Sequence, residues 1–127
     1  MTTMPQAKVL LVEDEGLIRL MLCDFLQDEG FDVVEAWDGD EAVQLLDGPD
    51  TFQILFTDVQ MPGSRDEIDV AVHARQRYPQ IPILIVSAYA ETLMSRISLL
   101  DPAALFMRKP YRLAEIGAAL RGMSLMI

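Results

Sequence analysis

Cysteine is nearly absent from this chain, which contains only Cys23 among its 127 residues. A single cysteine cannot form an internal disulfide, and its place in an apolar helical stripe predicts a buried side chain that fills the core. No apolar run approaches the roughly 20 residues that a transmembrane helix needs. The first residues, MTTMPQAK, also carry no charged-then-apolar leader. A reducing, cytoplasmic compartment is therefore the default expectation, with no membrane partner.

Basic residues are also scarce, with 10 Lys and Arg against 20 Asp and Glu, which gives a formal net charge of −10 at pH 7. Proteins that bind nucleic acid cluster Lys and Arg against phosphate groups, whereas the basic residues here are scattered. The charge therefore argues against nucleic acid as a partner. Because 51% of the residues are hydrophobic, the chain can bury one core. Its length predicts a single domain over residues 1–127, with a core of about 8–121.

Short β-branched segments alternate with amphipathic segments along the chain. The predicted strands are residues 8–12, 31–36, 52–57, 81–87 and 104–108, and the predicted helices are about 17–26, 39–46, 67–78, 91–99 and 113–121. The apolar stripe of the first helix consists of Leu17, Ile18, Met21, Leu22, Phe25 and Leu26. Strict alternation of strands and helices predicts an α/β fold, a doubly wound five-stranded parallel sheet with helices on both faces.

Polar side chains follow four of the predicted strands at the point where each strand ends. In chain order they are Glu13-Asp14-Glu15, Asp58, Ser87 and Lys109. Because the carboxyl ends of parallel strands meet at one edge of the sheet, where such folds hold their sites, we expect one shared pocket. Each residue alone is ordinarily a helix cap, a turn residue or a solvated charge. Their joint occurrence favours a functional site.

Several carboxylates in one pocket cost free energy unless a proton or a cation lies between them. Carboxylate, carbonyl and water oxygens suit Mg²⁺, and no His or Cys cluster competes for a softer metal. Asp58 can act as a carboxylate nucleophile on phosphorus. Mg²⁺ can contact one oxygen of a transferred phosphoryl group, the Lys109 ammonium a second, and the Ser87 hydroxyl with nearby backbone N–H groups a third. The chain has no Gly-x-x-x-x-Gly-Lys-Ser/Thr loop, so ATP is not the expected direct donor.

Four segments in order close four predicted strands: VLLVEDE, LFTDVQMPG, ILIVSA and FMRKP. At these segments the chain resembles the response regulator receiver domains of bacterial two-component signalling, from about Lys8 to Leu120. The resemblance implies a flavodoxin-like (βα)5 fold with strand order 2-1-3-4-5. It also implies Mg²⁺-dependent phosphorylation of Asp58 by a sensor histidine kinase or a histidine phosphotransfer protein. Such a domain phosphorylates and dephosphorylates itself and is not a turnover enzyme.

The same resemblance assigns roles to individual residues. Glu13, Asp14 and Asp58 would bind Mg²⁺ with the main-chain carbonyl of Gln60. Lys109 and Ser87 would act in catalysis beside Asp58, which carries the phosphoryl group. The Lys109-Pro110 peptide is expected to be cis, an isomer nearly confined to X–Pro bonds.

Two positions are implied as switch residues. Ser87 would move toward the phosphate, and Phe106 would turn inward when that hydroxyl shifts. The alternative for Phe106 is an ordinary half-buried strand aromatic. The loop after Asp58 departs from the commonest family form, since it is one residue longer and carries Glu67 where glycine is frequent.

The chain ends soon after its fifth predicted helix, so we expect a stand-alone receiver without an output domain. It would bind an unknown downstream protein through the face of the fourth helix, fifth strand and fifth helix, or pass its phosphoryl group to a phosphotransfer partner. Apolar residues in or near that face are Leu93, Met94, Leu99, Leu100 and Met107. Homodimer formation is left open.

Three other functions are alternatives to a phosphorylated receiver. A flavin carrier needs a phosphate-gripping loop after strand one, where this chain has acidic residues. An aspartate-nucleophile phosphatase needs a second Asp at the position of Gln60. A receiver-like module that binds proteins without phosphorylation remains the alternative. His73 lies too far from any strand end to be a phosphodonor, and Trp37 is expected to contribute packing rather than function.

Overall fold

The computed structural model describes residues 7–58, 67–88, 100 and 102–125. Its strands are β1 (Lys8–Glu13), β2 (Asp32–Ala36), β3 (Ile54–Asp58), β4 (Ile83–Ser87) and β5 (Leu105–Arg108). Its helices are α1 (Gly16–Asp28), α2 (Gly39–Asp47), α3 (Glu67–Arg77) and α4 (Leu113–Ser124). The helix predicted over residues 91–99 lies outside the described residues. Within those residues, no helix is both long enough and apolar enough to cross a membrane.

The five strands form one parallel sheet in the order β2-β1-β3-β4-β5. This order confirms the doubly wound α/β fold and the strand order 2-1-3-4-5. Strand β1 pairs with the edge strand β2 on one side and with the central strand β3 on the other. The chain reverses its direction of winding between β2 and β3, and the carboxyl ends on either side of such a point are where these sheets hold their sites.

Strands β1, β3 and β4 are buried on both faces of the sheet, as expected for parallel strands whose sequences are almost continuously apolar. Alternate side chains point to opposite faces, so Leu10 and Leu55 join one core cluster while Leu11 and Phe56 join the other. All four side chains are fully buried. The residues that end β1, β3 and β4 are therefore fixed at one edge of a rigid platform.

Helix α1 packs on the sheet through a narrower face than its apolar stripe indicated. Leu22, Cys23 and Leu26 are buried, which confirms the expectation for the cysteine, but Leu17 is 79% exposed and Met21 45% exposed. At 100° per residue, Leu17 lies on the opposite side of the helix from the line that joins these buried residues. The extension of the stripe to Leu17 and Met21 was wrong because apolar residues continue around α1 beyond its contact with the sheet.

Truncation of two leucines on α1 should have very different effects on stability. Leu22→Ala removes a fully buried side chain and should lower the free energy of unfolding by about 2 to 5 kcal/mol. Leu17→Ala has the same chemistry at an exposed position of the same helix and should change it by no more than about 0.5 kcal/mol. Urea unfolding followed by circular dichroism measures both. Equal losses would contradict the buried face described for α1.

Trp37 lies at the edge of the sheet, and 59% of its side chain is exposed. It directly follows the edge strand β2, and its backbone N–H donates to Glu41 in the first turn of α2 at 3.1 Å. The backbone of Trp37 is thus held while its ring lies at the surface. His73 is partly buried, as expected, and its Nε2 lies 2.8 Å from Asp47 Oδ1, which links α3 to the end of α2.

Candidate functional site

The predicted site residues come together because strand register places their backbones side by side. Glu13 at the end of β1 is in register with Asp58 at the end of β3. At the same edge of the sheet, β5 is held to β4, because the backbone N–H of Lys109 donates to the carbonyl of Ser87 at 3.2 Å. The carboxyl ends of four strands therefore form one site.

Asp58 lies at the centre of this site and is fully buried. Its two carboxylate oxygens have different partners. Lys109 Nζ lies 2.5 Å from Oδ1 in an ion pair, and the Tyr111 hydroxyl donates to Oδ2 at 3.0 Å. A carboxylate held at both oxygens cannot rotate freely about its last side-chain bond, so its orientation is fixed.

Burial is the main influence on the ionisation of Asp58, and it raises the pKa of this carboxyl. The bond and charge of Lys109 and the hydrogen bond from Tyr111 act in the opposite direction, while the charge of Asp14 raises the pKa further. Desolvation of a charged group in this interior therefore outweighs the two favourable contacts. A second positive charge beside Asp58 would favour its ionised form.

Glu13 is also fully buried, and neither of its carboxylate oxygens has a hydrogen-bond partner within the described part of the chain. Burial, followed by the charge of Asp58, raises the pKa of Glu13 to about 8, although Lys109 lowers it. Buried polar atoms nearly always have partners. Two unpartnered acceptors beside a second carboxylate fit a hard cation, which the donor set of the site would suit.

The metal group expected from the sequence is only partly assembled. In the described segments, no three His, Cys, Asp or Glu side chains are arranged to hold a metal ion. Asp14 is exposed, although it lies close enough for its charge to raise the pKa of both Glu13 and Asp58. Gln60 lies outside the described residues. The fit to a cation thus depends on Glu13 and Asp58.

Arg19, which the sequence did not single out, ties the end of β1 in place. Its Nη1 donates to the main-chain carbonyl of Glu13 at 2.9 Å, and its Nε lies 3.4 Å from Glu35 Oε1 on β2. Since the carbonyl belongs to Glu13 itself, α1 and β2 together fix the backbone that carries this buried carboxylate.

Ser87, another predicted site residue, is fully buried at the end of β4. Phe106 is half-buried and packs against the core cluster that contains Leu10 and Ile85. This position suits both a switch residue and an ordinary strand aromatic, so the switch role of Phe106 stays a prediction. The Lys109-Pro110 peptide is cis, as expected. The loop after Asp58 lies outside the described residues as far as residue 66.

Tyr111 is the contact that sequence reasoning missed. The available signal was an aromatic hydroxyl two residues after Lys109, on the segment that leaves β5. Sequence spacing alone does not show that the Tyr111 hydroxyl points toward Asp58 while its ring packs against the core. Burial and the charge of Asp58 raise the pKa of the Tyr111 hydroxyl, so it stays protonated and acts as a donor.

Without divalent cations, raising the pH should destabilise the protein. The pKa of Glu13 is about 8 in the folded state, against an ordinary value of 4.5. The folded state therefore holds a proton that the unfolded state has lost, and the free energy of unfolding falls as pH rises between these values. If the whole shift in the pKa of Glu13 contributed, the free energy of unfolding would fall by about 5 kcal/mol. Because solvent entry and relaxation reduce this effect, we expect a loss of about 2 to 3 kcal/mol.

Urea unfolding in a chelating buffer at pH 5 and pH 8 measures this loss, and Glu13→Gln is its control. The amide keeps the volume of the side chain but cannot titrate, so most of the dependence should disappear. The raised pKa of Asp58 acts in the same direction and would leave a smaller remainder. An unchanged slope in Glu13→Gln would contradict the assignment to Glu13.

Comparison with known proteins gives matches over most of the chain. A family model described as the response regulator receiver domain matches residues 9–121. The transcriptional regulatory protein CpxR of Escherichia coli is 34% identical over 114 residues, which cover 90% of this chain and 47% of CpxR. This chain therefore spans about half the length of that relative.

Two solved structures match nearly the whole chain. A response regulator receiver protein from Sinorhizobium medicae is 26% identical with a TM-score of 0.83, and the match covers 93% of this chain and 94% of the other. The response regulator protein TrrA from Thermotoga maritima, in complex with Mg(2+)-BeF, is 26% identical with a TM-score of 0.76. That match covers 93% of this chain and 99% of TrrA.

Proposed function

Because this chain belongs to the response regulator receiver domain family, we propose that it accepts a phosphoryl group on Asp58 and signals through the resulting change in its surface. The observation that carries the proposal is the Asp58 carboxylate, which is fully buried at the strand ends and held between Lys109 and Tyr111. A carboxylate fixed in this way is oriented to attack an incoming phosphorus atom.

In the proposed reaction, one carboxylate oxygen of Asp58 forms a bond to the phosphorus of the donor. The bond from phosphorus to the donor's leaving atom breaks, and its electron pair departs with the donor. The donor would be the phosphohistidine of a sensor histidine kinase or phosphotransfer protein. Each chain accepts one phosphoryl group and is itself the product, so it acts as a signalling domain and not as a turnover enzyme.

Two residues of the chain would assist the transfer to Asp58 directly. Lys109, whose ammonium already lies 2.5 Å from Asp58 Oδ1, offers positive charge to a phosphoryl oxygen. The Ser87 hydroxyl, at the end of the neighbouring strand β4, would donate to another oxygen. Phosphoryl transfer depends mostly on positioning and charge neutralisation, and these residues supply both.

Glu13, Asp14 and Asp58, with the main-chain carbonyl of Gln60, would hold Mg²⁺, which when bound supplies positive charge to the phosphoryl oxygens. The two unpartnered oxygens of Glu13 support this assignment. The TrrA structure, which contains Mg(2+)-BeF, supports it by analogy. In the switch that follows, Ser87 and Phe106 would transmit the change to the surface formed by β5 and α4, where α4 is the fifth helix predicted from the sequence. A downstream protein would bind at this surface.

The proposal is tested by incubating the purified chain with Mg²⁺ and acetyl phosphate and recording intact mass spectra. We expect a gain of one phosphoryl mass that disappears when Mg²⁺ is chelated. Borohydride reduction before peptide mapping should then locate the modification at Asp58. Modification at another residue would refute the proposal. No gain in a folded protein, even with a panel of phosphorylated histidine kinases, would favour a protein-binding module that is not phosphorylated.

A further inference from the structure

We infer that Tyr111 shortens the lifetime of the phosphorylated state by preferring the free Asp58 carboxylate over the aspartyl phosphate. This inference rests on the proposed phosphorylation of Asp58 and adds a residue that controls how long the signal lasts. It is carried by the hydrogen bond from the Tyr111 hydroxyl to Asp58 Oδ2 at 3.0 Å.

The position of this hydroxyl is set by packing and not by Asp58 alone. The Tyr111 ring is partly buried and packs against the core cluster that contains Phe56 and Val86. Asp58 is fully buried, so water does not readily replace the hydroxyl as a donor to Oδ2. The hydrogen bond between Tyr111 and Asp58 is therefore held in place by the packing of the Tyr111 ring.

Phosphorylation weakens this bond whichever oxygen of Asp58 is modified. In the free carboxylate both oxygens share a negative charge, and a hydrogen bond to an ionised acceptor is roughly twice as strong as one to a neutral acceptor. In the aspartyl phosphate Oδ2 becomes either a neutral carbonyl oxygen or the bridging ester oxygen. Tyr111 consequently stabilises the free carboxylate more than the phosphorylated form.

Hydrolysis restores the bond, and the gain begins in the transition state. The oxygen of water bonds to phosphorus, and the bond from phosphorus to the Asp58 oxygen breaks with its electron pair left on the carboxylate. Both protons of the water leave with inorganic phosphate. Because this transition state is loose, negative charge develops on the carboxylate as the bond breaks. A hydrogen bond that strengthens at this stage accelerates the step.

Tyr111→Phe tests the inference by removing one hydroxyl and keeping the ring. Both proteins are phosphorylated with acetyl phosphate and Mg²⁺, the donor is removed, and the decay of the phosphorylated mass is followed. The decay of the variant should be about fivefold slower than that of the wild type. Tyr78→Phe is the matched control, because its hydroxyl donates to the carbonyl of Asp50 at 3.3 Å, and its decay should equal that of the wild type.

The outcomes separate this inference from the proposed function. If neither the wild type nor Tyr111→Phe gains phosphoryl mass, from acetyl phosphate or from a panel of phosphorylated histidine kinases, phosphorylation itself is refuted. If both gain it and decay at equal rates, or if the variant decays faster, the role of Tyr111 is overturned while phosphorylation stands.

A second measurement serves if Tyr111→Phe fails to fold. The ring carbon that carries the hydroxyl is labelled with ¹³C in all three tyrosines, and the signals are assigned with Tyr78→Phe and Tyr89→Phe. After Mg²⁺ is added, acetyl phosphate should shift the Tyr111 signal and leave the Tyr78 signal in place. A stationary Tyr111 signal in a protein that mass spectra show to be phosphorylated would overturn the inference.

Discussion

Asp58→Asn should abolish phosphoryl incorporation, with no mass gain detectable under conditions that modify the wild type fully. The amide has nearly the shape of the carboxylate but lacks the negative charge that makes oxygen a nucleophile. Asp58 is also the carboxylate held between Lys109 and Tyr111, whereas Glu13 lacks any such pair of contacts.

The stability of Asp58→Asn should show that the loss is chemical. A buried carboxylate with a raised pKa carries a desolvation cost, so its neutral replacement should not lower the free energy of unfolding by more than about 1 kcal/mol. Asp50→Asn is the control, because Asp50 is an exposed acid paired with Lys8 at 3.2 Å. That variant should be phosphorylated like the wild type. Incorporation by Asp58→Asn would require a different acceptor.

Lys109→Met should slow phosphorylation by about a hundredfold, the usual effect of removing one group that stabilises transition-state charge. Methionine keeps much of the length of the side chain but leaves Asp58 Oδ1 without its ion pair. The pKa of Asp58 should rise further, because Lys109 is the main influence that lowers it. A smaller fraction of Asp58 is then ionised, and the phosphoryl oxygens lose one positive charge.

The rate of mass gain with acetyl phosphate measures this effect, and Lys8→Met is the matched control. Lys8 also pairs with an aspartate, but that pair lies at the surface, at the start of β1 and therefore at the opposite end of this strand from the site. Its removal should leave the rate unchanged, as exposed ion pairs contribute little. Binding of Mg²⁺ to Lys109→Met should be no weaker than to the wild type, because the ammonium repels the cation. Equal rates in the two variants would exclude Lys109 from the transfer step.

Much of the fold and the positions of the site residues could be predicted because they depend on backbone topology. An apolar strand that ends in a polar residue puts that residue at the carboxyl edge of a parallel sheet, whatever its side chain does afterwards. Glu13, Asp58 and Ser87 are of this kind, and each occupies the last position of its strand. Their joint placement followed from the alternation of strands and helices alone.

The features that could not be predicted depend on side-chain direction and on local packing. Tyr111 lies beyond the end of β5, where no strand periodicity indicates which way its hydroxyl points. Leu17 is as apolar as Leu22, yet α1 buries only one of them, because the sheet covers a limited arc of the helix. Trp37 follows an edge strand with neighbours on too few sides to bury a large ring.

The strand order also has a consequence for biosynthesis. β1 lies between β2 and β3 and pairs with both, so these three strands can form a unit as soon as they leave the ribosome. This nascent unit brings Glu13 and Asp58 into register before the residues that neutralise them have been synthesised. Lys109 and Tyr111 arrive only with the last strand and the turn that follows it. We expect the acidic half of the pocket to stay open to water and ions until β5 and the segment that carries Tyr111 have been synthesised, and the site to close only then.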